Sequence, residues 1–394
     1  MAIRHQLAVY SPIPAAGPMY AAGAALRLAR DPRPALIDLL RREYDASEVL
    51  LTGSGTQALQ VAIVNAVRRA RADRPAVALP AFSCFDVAAA AVGAMVSAAL
   101  YDLDPETLGP DLGSLERVLA SGVRVAVIAP LYGMPAEWDT IGELANRYDV
   151  ILIEDSAQGH GAAWRAAPLG ALGDISTLSF GRGKGWTAGC GGAVLARRGC
   201  SIDAAMLAPC AAGAEARTIA ALAAQWTLGR PPVYGIPHSI PSLALGETVY
   251  HPPVPPAELP RAAAAAALHA FDASRAEAAH RRENAQWFLD RLAGNDRLRP
   301  IRALVDAAPG YLRLPIKFAG GIARMSRPER AIALGVAQSY PRSLVELAPN
   351  VTGPEKRWPG TDELVRDLVT LPVHSRLTPI ERDEVVRMLQ EKPR

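Results

Sequence analysis

The sequence holds only four cysteines, Cys84, Cys190, Cys200 and Cys210, and none forms a C-x-x-C pair or stands in a histidine pattern. That argues against a disulfide framework and a zinc site, so the chain reads as a protein of the reducing cytoplasm with no metal. Long apolar runs are missing too: there is no uninterrupted stretch of about 18 apolar residues, and the opening MAIRHQLAVYSPIPAAGPMY lacks the apolar core of a secretory signal. No membrane span is expected. Charge of one sign is not in excess either, since 42 Lys and Arg stand against 39 Asp and Glu, a net +3, without a long basic block. Nucleic acid and other polyanions are therefore not expected partners. What is present is a 394-residue chain, 50% hydrophobic and 21% charged, long enough for two or three structural units around a large core.

From residue 49 short apolar runs alternate with amphipathic stretches: EVLLTG, TQALQVAIVNAVRRARA, AVALP, DVAAAAVGAM, SAALYDL, DLGSLERVLA, VRVAVIAPL, EWDTIGELANRYD and VILIEDS. Buried strands separated by helices are the signature of βαβ units, which predicts an α/β sheet of at least five strands. DISTLSF (174–180) and GGAVLARR (191–198) are two more strand candidates. Between about 201 and 256 the sheet pattern fades into LGRPPVYGIPHSIPSLALGETVYHPPVPP. Proline there removes amide donors and restricts its neighbours, so this stretch reads as a surface excursion that holds no regular structure for long. The alanine tract RAAAAAALHAF continues into strong helix formers and predicts a long packed helix. A strand, YLRLPIKF, and a closing segment with a helix start at TPIERDE make a smaller α+β unit.

The segment SFGRGKGWTAGCGG (179–192) carries one lysine, Lys184, among six glycines. Glycine lets a ligand or backbone approach closely, and ligands of open α/β sheets bind beyond the carboxyl ends of strands. A nucleotide-hydrolase loop is disfavoured, because Gly185 follows the lysine where Ser or Thr is needed. TGSGTQAL (52–59) turns into a helix whose free amides at Gly55 and Thr56 suit an anion. Glu154 and Asp155 end an apolar run, and at least one of the two carboxylates is expected to point beyond the sheet edge. Ser179 adds a hydroxyl, and a desolvated lysine can form a Schiff base with a carbonyl cofactor. A phosphate turn, a carboxylate, a serine and a lysine together meet the needs of pyridoxal phosphate.

These strings, with LYDLDPETLGPDLGSLE, APLYGMPAEWDTIGELANRYDVILIEDSAQGHGA, GALGDISTLSF, GCGGAV and TLPVHSRLT, resemble the DegT/DnrJ/EryC1/StrS family of pyridoxal-phosphate sugar aminotransferases. The resemblance is dense over residues 45–200. It implies an aspartate-aminotransferase-like, fold type I architecture: a large α/β domain over 1–250 with a mostly parallel central sheet, and a small α+β domain over 251–394. It also implies that Lys184 holds the cofactor covalently and moves the proton between substrate and cofactor carbons. Asp155 would pair with the pyridine nitrogen, Gln158 with the ring's phenolic oxygen, and Gly55, Thr56 and Ser179 with the phosphate. The ring-stacking residue falls in PAFSCFDV at Cys84 or Phe85; Phe85 is the better stacking surface, with Phe82 as plain core.

His160 matches a family histidine and is open to a structural role. Arg182 and Trp186 flank the lysine and either face substrate or serve as a solvated cation and a packed indole. ELPRAAAAAALHAF lacks the family's Asn-Tyr-Arg-Met-like segment, so cofactor chemistry is better supported than sugar recognition. The implied activity is amino transfer from glutamate to a nucleotide-linked keto sugar, in a cytoplasmic homodimer of a polysaccharide-building route. The competing readings are a lyase or decarboxylase on a non-sugar substrate and a cofactor-binding regulator without turnover.

Overall fold

The short apolar runs of the first half are strands, buried on both faces except at the edge strand Glu48–Thr52, and the amphipathic stretches between them are helices that cover the sheet. The computed structural model describes residues 4–71, 75–197, 199–240, 248–295 and 297–391. After helices α1 (Gly17–Ala25) and α2 (Arg33–Tyr44), the chain runs β1 (Glu48–Thr52), α3 (Gly55–Ala70), β2 (Ala76–Pro80), α4 (Phe85–Gly93) and β3 (Ser97–Tyr101). It continues through α5 (Leu112–Ala120), β4 (Val125–Ile128), α6 (Trp138–Tyr148), β5 (Ile151–Asp155), β6 (Ile175–Ser179) and β7 (Gly192–Ala196). These strands form one seven-stranded sheet in the order β1-β7-β6-β5-β4-β2-β3.

Neighbouring pairs from β3 to β6 are parallel, whereas β7 runs antiparallel to both β6 and β1. The reason is local. Loop 180–191 has no helix with which to cross over, so the strand that follows it returns alongside β6 in the opposite sense.

The segment 201–256 departs from expectation, for it contains α7 (Ala214–Leu228) and α8 (Pro231–His238). Pro231 and Pro232 occupy the first turn of α8, where an amide has no partner within the helix, and Pro237 falls in its last turn. Proline there starts and stops a helix instead of forbidding one. Residues 241–247 of this proline-rich stretch lie outside the described residues, as does residue 198 at the end of GGAVLARR.

The alanine tract opens α9 (Arg261–Leu292), a single helix of 32 residues. Ala262, Ala263, Ala264, Ala266, Ala267 and Ala270 are buried with Ala21 of α1, Leu36 and Leu40 of α2, and Trp186. Small side chains let the helices approach closely and leave room for the indole. Farther along, Ala285, Phe288 and Leu292 join a different core, with Leu314, Ile316, Val369 and Leu371. The helix thus belongs to both units, and the expected boundary at 250/251 falls ahead of it.

The second core backs a four-stranded antiparallel sheet of β8 (Leu298–Pro300), β9 (Leu314–Phe318), β10 (Ala337–Gln338) and β11 (Leu368–Leu371), in the order β8-β9-β11-β10. Helices α10 (Pro328–Ala333), α11 (Pro359–Asp367) and α12 (Pro379–Gln390) complete it. TPIERDE starts α12 as its sequence predicts: Glu381 N–H donates to Thr378 Oγ1 at 3.3 Å, and Thr378 N–H donates to Glu381 Oε2 at 2.9 Å. Among the described residues no helix is long and apolar enough to cross a membrane.

Candidate active site

Beyond the carboxyl ends of β5 and β6 lies a cavity of about 340 Å³ lined by Gly55, Thr56, Asp155, Gln158, Ser179 and Lys184, six positions from three separate stretches of sequence. The α3 end is built for an anion. Ser54 caps the helix, its Oγ accepting from Gln57 N–H at 3.2 Å, so the amides of Gly55 and Thr56 are not consumed by the cap. A Cβ on Gly55 would stand 2.5 Å from Ser179 Cβ and 2.6 Å from its Oγ. Only glycine lets α3 begin this close to β6, which brings the serine hydroxyl beside the helix amides.

The lysine loop is held from below. Trp186 is buried against Phe180 and Phe271, with its Nε1–H donating to Ala267 O at 2.9 Å. It is a packed indole, not a substrate contact. Gly185, at φ 77°, donates its N–H to Ser11 Oγ at 3.1 Å, and a Cβ there would meet Arg281 Nη1 at 3.2 Å. The backbone on the C-terminal side of Lys184 is therefore fixed while its side chain lines the cavity. Arg182 is exposed and lines the cavity as well.

The two carboxylates that end β5 go to opposite sides. Glu154 is fully buried under the sheet end and accepts from Gly170 N–H at 2.6 Å, Leu172 N–H at 2.9 Å and Ser176 Oγ–H at 2.9 Å. Asp155 accepts on Oδ1 from Ala157 N–H at 3.2 Å and Thr177 Oγ1–H at 3.3 Å, leaving Oδ2 for a partner in the cavity. Burial pushes the Asp155 carboxyl above the usual range, and the Lys184 charge pulls the other way. A cationic partner would hold it ionised.

Gln158 is locked at both ends of its amide: Oε1 accepts from Tyr132 N–H at 2.8 Å, and Nε2 donates to Tyr340 Oη at 2.7 Å. One Nε2 hydrogen remains to be donated. Tyr132 itself sits at φ 56°, a left-handed conformation rare for a tyrosine, and its hydroxyl hydrogen-bonds Ser339. Two residues of the small unit, Ser339 and Tyr340, thereby set the geometry of the loop beyond β4.

Phe85 is not in the cavity. It is the first residue of α4 and is buried among Leu59, Val87 and Leu344, with the Arg342 guanidinium over its ring. Cys84, the residue before it, lines the cavity instead, its thiol pushed up to about 12 by burial. The helix turns adjacent side chains by about 100°, so one residue of register exchanges core for site. Phe82 is core. His160 is half-buried against Trp186 and Phe271 with its pKa lowered to about 3, chiefly by desolvation and then by Arg281, so it is a neutral packing residue.

Asp86, which lines the cavity, and Tyr132 and Tyr340, which hold Gln158, escaped the sequence reading. Asp86 follows PAFSCF and could have been found from that motif. Tyr340 lies far along the chain in a different unit, with no local signal.

Residues 39–221 match the DegT/DnrJ/EryC1/StrS aminotransferase family. Among curated relatives, the L-glutamine:2-deoxy-scyllo-inosose aminotransferase of Micromonospora echinospora is 34% identical over 152 residues, 39% of this chain and 36% of that protein. The 3-amino-5-hydroxybenzoate synthase of Amycolatopsis mediterranei is 35% identical over 162 residues, 39% of this chain and 38% of that one. The matched stretch thus spans less than two thirds of either relative. In fold the chain is similar over 99% of both lengths to the sugar aminotransferase CalS13 from Micromonospora echinospora, at a TM-score of 0.73 and 21% identity. It is likewise similar over 97% of its length and 96% of that chain to Spr1654 from Streptococcus pneumoniae in its PLP form, at a TM-score of 0.72 and 16% identity. The architecture is that of these fold type I enzymes.

Proposed function

We propose, for a chain that belongs through residues 39–221 to the DegT/DnrJ/EryC1/StrS aminotransferase family, a pyridoxal-phosphate-dependent aminotransferase. The observation that carries this reading is the convergence of Lys184, Asp155 and the Ser179–α3 cradle on one cavity. The residues fit the cofactor: amides and a hydroxyl stand where a phosphate needs donors, and a carboxylate with an open oxygen stands where a protonated ring nitrogen needs an acceptor.

Gly55 and Thr56 amides and the Ser179 hydroxyl would hold the phosphate. Asp155 would pair with the ring nitrogen, Gln158 would donate to the ring oxygen, and Cys84 would line the ring's surroundings in place of an aromatic. Pyridoxal phosphate, when bound, supplies an electron sink for the carbon that loses its proton. Lys184 Nζ would hold the cofactor and, once displaced by the amino donor, move the proton taken from the donor's Cα. Loop 180–191 keeps that amine in place through the buried Trp186 and the Gly185–Ser11 hydrogen bond.

The amino donor is glutamate or glutamine, the latter supported by the names of the inosose relatives. The acceptor is a polyhydroxylated cyclic ketone. A nucleotide-linked keto sugar is the class the sequence resemblance implies, while a cyclitol ketone is the class for which those relatives are named. A homodimer in the cytoplasm is the expected setting. The test is to add glutamate or glutamine to the cofactor-loaded protein and follow the loss of the cofactor's visible band, beside a Lys184→Ala variant. Bleaching that a keto sugar or cyclitol ketone then reverses supports the reading. A wild-type band that no amino donor changes overturns it in favour of a protein that binds the cofactor without turnover.

A further inference from the structure

Arg281 of α9 is fully buried, and among the described residues it forms no ion pair. Glu277, one turn earlier on the helix, accepts instead from Ser375 N–H at 2.8 Å and from Ser375 Oγ–H at 2.6 Å. Burial lowers the Arg281 pKa to about 10, with the Glu277 charge opposing, so the guanidinium stays a cation at neutral pH. Its Nη1 has no hydrogen-bond partner among the described residues and lies where a Cβ on Gly185, the residue after Lys184, would stand 3.2 Å away.

The other two nitrogens grip separate backbones. Nη2–H donates to His160 O at 2.9 Å, two residues beyond Gln158, and Nε–H donates to Gly310 O at 3.1 Å. From Gly310 the bonding continues toward the same glutamine. Gly310 N–H donates to Gly133 O at 2.9 Å, Leu312 N–H to Tyr132 O at 2.8 Å, and Tyr132 N–H to Gln158 Oε1 at 2.8 Å. The segments are close-packed, since a Cβ on Gly310 would stand 3.1 Å from His160 O and one on Gly133 3.1 Å from Gln158 O. Arg281 thus holds the Gln158 loop from two sides. A buried cation without a counter-charge is costly where an apolar side chain would pack freely. What it supplies in return is a planar set of donors that reaches two diverging carbonyls at once.

Resting on the aminotransferase reading, in which Gln158 donates to the cofactor's ring oxygen, we infer that Arg281 is a positioning residue for that donor. By fixing the carbonyls of His160 and Gly310 it aims the free Nε2 hydrogen of Gln158 into the cavity. The bond to Tyr340 Oη fixes one hydrogen of the amide, and the backbone held by Arg281 sets the direction of the other. Arg281 does not line the cavity, so it acts only through the loops it ties together.

The pH midpoint of the visible band of the cofactor-loaded protein tests this, because a donor to the ring oxygen moves that midpoint and reading it needs no turnover. Gln158→Ala gives the reference shift. Arg281→Met is expected to move the midpoint in the same direction, by about one pH unit, and to add nothing in a Gln158→Ala background. A shift that persists at full size in that background comes from the lost charge and overturns the inference, as does no shift at all. Arg281→Lys, which keeps the charge but not the planar fork, decides the matter if Arg281→Met fails to fold: a shift abolished by Gln158→Ala supports the inference, and an unchanged midpoint overturns it. If neither variant folds, Arg281 is a structural residue and the inference is overturned. A normal band whose midpoint Gln158→Ala does not move overturns the inference alone. If the expected shifts are seen but glutamate and glutamine never bleach the wild-type band, the aminotransferase reading fails while the positioning role stands.

Discussion

Glu154 and Asp155 are consecutive on β5, yet the turn on one side of the sheet end and the cavity on the other treat their carboxylates differently. Glu154 is saturated: backbone amides of Gly170 and Leu172 and the Ser176 hydroxyl donate to it, and Arg197 lies near. Asp155 receives two long hydrogen bonds on one oxygen and keeps the other for the cavity. Burial raises both carboxyls. Unspent acceptor capacity facing the cavity separates a working carboxylate from a structural one.

Substituting each residue by its amide separates the two roles. Asp155→Asn is expected to slow bleaching by the amino donor by about 10²–10³-fold, the scale for removing one preorganised electrostatic partner, with little change in melting temperature. Stopped-flow absorbance checks it, and a rate within a few-fold of wild type would remove Asp155 from the site. Glu154→Gln should do the reverse. It weakens charge-assisted hydrogen bonds and deprives Arg197 of its counter-charge, which costs about 2–3 kcal/mol in urea unfolding, while the folded fraction reacts at the wild-type rate.

A second contrast uses the same substitution at two glycines. Gly55→Ala puts a methyl 2.5 Å from Ser179 Cβ, so α3 and β6 must part. Overpacking of this kind costs about 1–3 kcal/mol, and cofactor affinity should fall by about tenfold in an equilibrium titration. Gly142, inside α6, has nothing within 4 Å of its added methyl. Gly142→Ala should stabilise the fold by up to about 1 kcal/mol and leave the cofactor alone. Equal effects at the two positions would mean that the cradle is looser than its geometry implies.

Much of the inner site was legible, because it is written where periodicity changes. An apolar run that stops at Asp155 or Ser179, followed by a turn rich in glycine, marks both a strand end and a place for a ligand. Register was not legible at PAFSCFDV. Cys84 and Phe85 both fit the motif, and only the start of α4 decides which of them turns into the core. The prolines of 231–237 read as breakers because their position within a helix turn is invisible until the helix is seen. Ser339 and Tyr340 were out of reach for another reason. They come to the cavity because α9, running about 48 Å at 1.5 Å per residue, carries the chain into a second core whose packing no local string encodes.

The smallest effect concerns the N-terminal strap around Leu7. His374, in TLPVHSRLT, is buried, and its Nε2–H donates to Leu7 O at 2.8 Å while Nδ1 has no partner. Burial is the largest cause of a pKa lowered to about 4; the hydrogen bond to Leu7 and the charge of Glu381 oppose it, while Arg376 and Arg281 act in its direction. Between its usual value near 6.5 and that folded value, the unfolded chain takes up a proton that the native state refuses. The contribution to stability is therefore complete above pH 6.5 and is lost as pH falls toward 4, at up to about 1.4 kcal/mol per pH unit. His160 acts in the same sense over a wider range, whereas Asp155 and Glu154, raised by burial, act oppositely; all three remain in a His374→Gln variant and cancel in the difference. That variant can still donate to Leu7 O, so its urea-unfolding free energy should fall less steeply than wild type between pH 6.5 and 4.5, by about one proton's slope. Parallel curves would mean that His374 is protonated in the native protein, and that the strap is held by a charged ring instead of a neutral one.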